Sequence, residues 1–307
     1  MRGLRVAVAA ALIAAPAAAA DLPLADHPLV DTIVRVEDGA KIDRGQLEAA
    51  LLDARFVVLG EKHDNPRHHV IQAELVEHLG AAGELDAVAF EMLPRDKQID
   101  VVAHVQAGGG AAGLADAVGW SELGWGPWTW YGPIADAALR HDATIVAADL
   151  TRDDARAIYQ DGLGTLDARL VERTGLDQPL AEAERRARTE AMVEAHCGHD
   201  MGGMADAMVQ VQRARDAVLA ARLAKLTDAG RGVLITGNGH ADTDQGAPVV
   251  LERLEPAATT ISVGLIEVRP DWTDVPQTDV AHDYVWFTPR AKPADYDYCE
   301  RFSESRG

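Results

Sequence analysis

The segment Gly60-Glu61-Lys62-His63-Asp64-Asn65-Pro66 follows an apolar run and carries a carboxylate and an imidazole two positions apart. In extended backbone alternate side chains face the same side, so Glu61 and His63 can converge. A helix that Asn65 caps and Pro66 opens would set its positive end near His63 and disfavour the imidazolium. A neutral imidazole is what a general base or a metal ligand requires. The Gly-x-x-His spelling returns at Gly237-Asn238-Gly239-His240, and Phe90-Glu91-Met92 sets another carboxylate at the end of a second apolar run. His63, Glu91 and His240 could ligate a divalent metal at about 2.0–2.2 Å from each donor. They could instead act on a water as base and orienter, over hydrogen bonds of about 2.6–3.2 Å. Glu61 joins these three as a catalytic candidate, and Asp242 and Asp244 are placed to orient His240. His68 and His69, one turn into the helix, are expected at the rim. A polar loop whose histidines only cap backbone groups stays open as the alternative.

A parallel sheet is what would bring such distant residues together. Near-continuous apolar runs at 55–60, 86–91, 144–149 and 232–237 read as strands covered on both faces, and 260–268 and 283–288 extend the series. Between them lie helical stretches; in the first, Ile71, Leu75 and Leu79 make one apolar stripe. The reading is α/β, a mainly parallel β-sheet flanked by helices. The strand carboxyl ends of such a sheet share one crevice, where His63, Glu91 and His240 would meet. Helical inserts at about 95–130 and 151–229 are too long for simple crossovers and predict a smaller all-helical subdomain.

Composition narrows the partners. Of 307 residues, 49 are acidic and 29 are Lys or Arg, a formal net charge of −20 with no basic patch, which argues against a nucleic-acid partner. Residues 1–20 read as a signal peptide: Arg2 and Arg5, then an apolar core, then Ala18-Ala19-Ala20. Residues 21–307 would be the mature domain, soluble and periplasmic or secreted, and no cysteine marks a lipid anchor at the cut. In an oxidising compartment Cys197 and Cys299 would either pair or remain two buried thiols.

VVLGEKHDNPRHH, VAFEM, WTWYGPI, HCG with the later Gln212 and Asp216, and VLITGNGHADTDQGAP together resemble the ChaN-like family of haem-binding uptake proteins. That family sits in the Tiki superfamily with TraB-type proteins and is similar in its paired-histidine site to erythromycin esterases. The resemblance runs from about Asp31 to Leu254. It implies a parallel α/β unit with a smaller helical one, haem as cofactor, and a periplasmic or surface role in haem or iron acquisition beside outer-membrane uptake machinery. It also implies that the two Gly-x-x-His motifs and Glu91 carry the superfamily's site. Two functions follow: an exported binder of haem or an iron cofactor, or a metal-dependent peptidase or esterase-like hydrolase using His63, Glu91 and His240. Three further residues are candidates for holding the cofactor. Tyr131, amid tryptophans, would ligate haem iron as tyrosinate or simply pack in an aromatic cluster. His196 and His199, at i and i+3, would offer a ligand pair. The oligomeric state is left open.

Overall fold

Alternating apolar runs and amphipathic helices assemble around one eight-stranded sheet in the computed structural model, which describes residues 21–199, 202–227, 229–276 and 281–300. The strands are β1 (Ile33–Arg35), β2 (Ala40–Ile42), β3 (Phe56–Glu61), β4 (Leu85–Pro94), β5 (Thr144–Asp149), β6 (Arg231–Gly237), β7 (Thr260–Glu267) and β8 (Tyr284–Thr288). Their order across the sheet is β2-β1-β8-β7-β3-β6-β4-β5. Strands β3 to β8 pair in parallel, and only the β1–β2 hairpin and its junction with β8 are antiparallel. The 232–237 run therefore lies directly beside the 55–60 run, with Val57 opposite Val233 and Glu61 opposite Gly237.

The helices are α1 (Arg44–Leu52), α2 (Pro66–Ala81), α3 (Gln98–Gln106), α4 (Ala111–Val118), α5 (Trp120–Leu123), α6 (Trp128–Arg140), α7 (Arg152–Asp161), α8 (Ala168–Thr174), α9 (Glu182–Ala195), α10 (Met204–Leu226) and α11 (Ala247–Leu254). Asn65 caps α2 by accepting from the Arg67 amide, and Pro66 occupies its first turn. The α2 stripe of Ile71, Leu75 and Leu79 packs with Tyr131 and Ile134 of α6 against Val57, Leu59, Phe90 and Ile235 on one sheet face. On the other face, Leu219 and Leu223 of α10 and Leu251 of α11 cover Phe56, Val58, Ala89 and Leu234. Apolar cover on both faces is what permits a parallel sheet with such continuous hydrophobic strands.

The second helical run divides. The later turns of α10 belong to the sheet-covering layer, while Ala214, Ala217 and Val218 join Leu150 and Ile158 in a satellite core with α7 and α8. Helix α9 buries no residue fully and is fastened to α10 through Arg185 and Thr189, both bonded to Asp206. The two cysteines are joined: Cys197 after α9 and Cys299 at the C-terminal end form a disulfide with Cα atoms 5.4 Å apart. Residues 1–20, read above as a signal peptide, lie outside the described residues. Among the described residues no helix is long and apolar enough to cross a membrane.

Candidate functional site

Three parallel strands bring the two Gly-x-x-His motifs and Glu91 to the same end of the sheet. Strand β3 ends in Glu61, β6 ends in Gly237, and β4 carries Glu91 where its register with β5 shifts between Phe90 and Pro94. The two repeated glycines make room for one another's motif. A Cβ on Gly60 would stand 2.5 Å from Asn238 Oδ1, and one on Gly237 would stand 2.9 Å from His63 Nε2. Each Gly-x-x-His motif thus packs against the other with no space for a side chain.

The cleft so formed, about 520 Å³, is lined by Glu61, Lys62, His63, Glu91, Gln212, Arg215 and Gly237 through His240, among others. His63 Nδ1 donates to Glu61 Oε1 at 2.8 Å, and His240 Nδ1 donates to Asp216 Oδ1 at 2.6 Å. The opposite nitrogens, both Nε2, lie 3.7 Å from the same Glu91 Oε1, too far for a hydrogen bond. Two carboxylate–imidazole pairs therefore face a third, buried carboxylate. Glu91 is fully engaged. Its Oε1 accepts from Arg215 Nη2 at 2.8 Å, and its Oε2 accepts from Thr236 Oγ1 at 2.6 Å and the Gly237 amide at 2.7 Å.

This engagement bears on the expectation that His63, Glu91 and His240 ligate a metal. A cation would have to displace the Arg215 guanidinium from Glu91, and among the described residues no group of three or more His, Cys, Asp or Glu side chains is arranged to hold a metal ion. The geometry is that of oriented imidazoles.

Charge follows geometry. Burial alone would raise the Glu91 pKa, but His240, Arg215 and His63 together with the Thr236 hydroxyl hold it well below the usual carboxylate range. Burial raises Asp216, and its basic neighbours offset this only in part. Burial pulls His63 down, yet the Glu61 hydrogen bond and the charges of Glu91 and Glu61 outweigh it and raise the pKa. The downward pull expected from the helix end is therefore outweighed, because two carboxylates lie within reach of His63.

His68 and His69, expected at the rim, are buried. His68 Nδ1 accepts from the Lys62 amide at 2.9 Å while Nε2 donates to Thr288 Oγ1 at 2.7 Å, a neutral tautomer that burial keeps from protonating. His69 Nδ1 approaches Glu61 Oε2 to 2.6 Å, at an angle that makes no hydrogen bond, and its ring stacks on Trp130. Tyr131 is wholly buried, with its hydroxyl donating to Glu61 Oε1 at 3.3 Å. Burial and the Glu61 charge drive its pKa far up, and its ring packs against those of His69 and Trp120. Asp242 Oδ1 accepts from the amides of Asp244 and Gln245, while His240 Nδ1 is bonded to Asp216.

The sequence reading missed Arg215 and Asp149. Arg215 donates to Asp149 through Nε and Nη2, at 2.7–3.1 Å, and to Glu91. Asp216 entered only as part of the resemblance. The available signal was Gln212, Arg215 and Asp216 at i, i+3 and i+4, polar residues on one face of α10.

His196 lies apart from this cleft but close by. It lines a cavity of about 320 Å³ with Arg188, Ala191, Met192, Ala195 and Val209, which meets the cleft at Gln212 and Gly239. His199 is exposed, beyond that cavity's lining.

The shifted groups set a pH window. His63, raised above 6.5, contributes stability that is complete below that pH and lost as pH rises through its folded pKa. Glu91, lowered from 4.5, contributes stability that is complete above that pH and lost as pH falls through its folded pKa. Urea midpoints should therefore fall on both sides of the interval from 4.5 to 6.5, and His63→Gln should flatten the alkaline limb alone. An unchanged alkaline limb in His63→Gln would contradict the raised pKa.

A family model described as haem-binding uptake, Tiki superfamily, ChaN matches residues 47–251. ChaN of Campylobacter jejuni, solved for its cofacial heme binding, is similar in fold, with a TM-score of 0.66 at 20% identity over 83% of this chain and 95% of that chain. The type III effector HopBA1 is a fainter likeness, at a TM-score of 0.45 and 14% identity over 86% and 99% of the two chains. So is an erythromycin esterase in its open conformation, at 0.43 and 14% over 84% and 82%. No curated protein matches the chain.

Proposed function

The chain belongs to the ChaN family of haem-binding uptake proteins in the Tiki superfamily, and from that premise we propose that it binds haem outside the cytoplasm in haem or iron uptake. The observation that carries this reading to a site is the cavity walled by His196. Haem asks for an apolar bed, a neutral donor to iron and polar groups for its two carboxylates. Ala191, Met192, Ala195 and Val209 provide the bed. His196 Nδ1 donates to the Met192 carbonyl at 2.8 Å, which fixes the ring and leaves Nε2 as the nitrogen carrying the lone pair. Metal-bound histidines are held in this way. Arg188 and Gln212 line the same cavity and suit the carboxylates. Bound haem would supply the iron; the chain's own part is to bed the ring, offer Nε2 and hold the edge carboxylates.

Export is part of the proposal. The Cys197–Cys299 disulfide supports an oxidising compartment, in keeping with residues 1–20 read as a signal peptide. Outer-membrane uptake machinery is the partner such a role requires. Family membership favours this reading over the hydrolase alternative at His63, Glu91 and His240. Titrating the purified protein with haemin tests it: the Soret band should shift and saturate at micromolar haemin. A Soret spectrum that remains that of free haemin would overturn the proposal.

A further inference from the structure

After β8 the chain runs back along the rim of the cleft, against residues that line or flank it. Asn65 Nδ2 donates to the Pro289 carbonyl at 2.9 Å, and the Ala291 amide donates to Glu267 Oε1 at 2.6 Å. Tyr298 accepts from Lys62 Nζ at 2.6 Å and donates to Asp64 Oδ2 at 2.9 Å, with the Lys62 ammonium 4.4 Å from its ring centre. One residue further, Cys299 is bonded to Cys197, in the connection from α9 to α10. Lys62 and Glu267 line one side of the cleft, and Gln212 and Arg215 of α10 line the other. The terminal segment is thus anchored on one wall and fastened covalently to the helical side: it is a strap.

We propose that the Cys197–Cys299 disulfide is a thiol-exchange site, and that its reduction by a protein dithiol releases this strap from Lys62 at the cleft rim. Access supports the first half. Cys299 is exposed and Cys197 half-buried, and an open, mainly apolar groove of about 560 Å³ lined by Thr189, Val193 and both cysteines runs beside the bond. A partner's chain can lie in that groove while its thiolate reaches sulfur, and access is one of the conditions that set exchange rates. The weakness of the other fastenings supports the second half. Exposed ion pairs and hydroxyl contacts such as those of Tyr298 hold a chain end poorly by themselves, so the covalent link decides whether the strap stays. None of the four hydrophobic clusters includes Cys197 or a residue of 289–299, so the core does not depend on the strap.

The exchange balances. A partner thiolate attacks Cys299 Sγ, the more exposed sulfur, and Cys197 leaves as a thiolate that takes up a proton. The partner's second thiolate then attacks its own sulfur in the mixed disulfide, and Cys299 leaves and is protonated in turn. Two electrons pass: the chain gains two thiols and the dithiol becomes a disulfide.

The test uses the full chain, oxidised, reduced with dithiothreitol as the dithiol probe, and as Cys299→Ser. Lys62 acetylation is followed by mass spectrometry, and hydrogen exchange is followed over residues 289–299. Both open forms should acetylate Lys62 about tenfold faster and lose protection across the strap, with far-ultraviolet circular dichroism unchanged. Two outcomes overturn the proposal: a disulfide that native protein keeps intact in dithiothreitol, or Lys62 reactivity that stays the same once both thiols titrate. Neither readout requires haem, so they stand apart from the haem titration.

Discussion

Arg215→Met is expected to destabilise the protein by about 3–5 kcal/mol at neutral pH, the cost of leaving buried charge without its partner. Glu91 is 2% exposed and Asp149 8% exposed, and one guanidinium serves both. Methionine preserves much of the volume, so the loss reads the charge rather than a cavity. The deficit should narrow as pH falls toward about 4.5, because Glu91 without Arg215 takes up a proton more readily and sheds its uncompensated charge. Denaturant unfolding of parent and variant at several pH values measures both effects. A variant as stable as its parent at neutral pH would show that Arg215 is a bystander, with Glu91 held by Thr236 and the Gly237 amide and Asp149 by the Leu150 amide.

The second large effect concerns the ligand. His196→Ala should weaken haem binding by about a hundredfold, at the upper end of what even supporting residues of metal sites contribute. Added imidazole should restore much of the affinity, since the vacated space beside Ala191, Met192 and Val209 admits a free ring. His63→Ala, in the neighbouring cleft, should leave the affinity within about threefold, because the assigned iron donor is not touched. Equal losses in the two variants would move the haem into the strand-end cleft. Loss without imidazole rescue would assign His196 a packing role.

These residues differ in how far the chain alone revealed them. The sheet was legible because β3, β4, β5 and β6 are buried on both faces and so spell nearly unbroken apolar runs. The Gly-x-x-His repeat was legible because strand-end residues follow such runs directly. Strands β1 and β2 are three residues each, too short to carry a period. His68 lies on the α2 stripe with Ile71, Leu75 and Leu79 and is buried with them, but its polarity pointed outward in a reading by residue type. Arg215 meets Glu91 across 124 positions and Asp149 across 66, and no local spacing encodes such a pairing. The rise of the His63 pKa comes first from its bond to Glu61, two residues away, and then from a distant neighbour, Glu91, on another strand. Within the second insert, α10 is one continuous helix that serves both the satellite core and the sheet, a double role that no local pattern spells out.

Anomalous scattering at the iron absorption edge, from crystals of the haem complex, tests haem binding at the insert most directly. The expected result is an iron peak in the cavity between α9 and α10, within bonding distance of His196 Nε2. An iron peak among His63, Glu91 and His240, or one with no contact to His196, would contradict it.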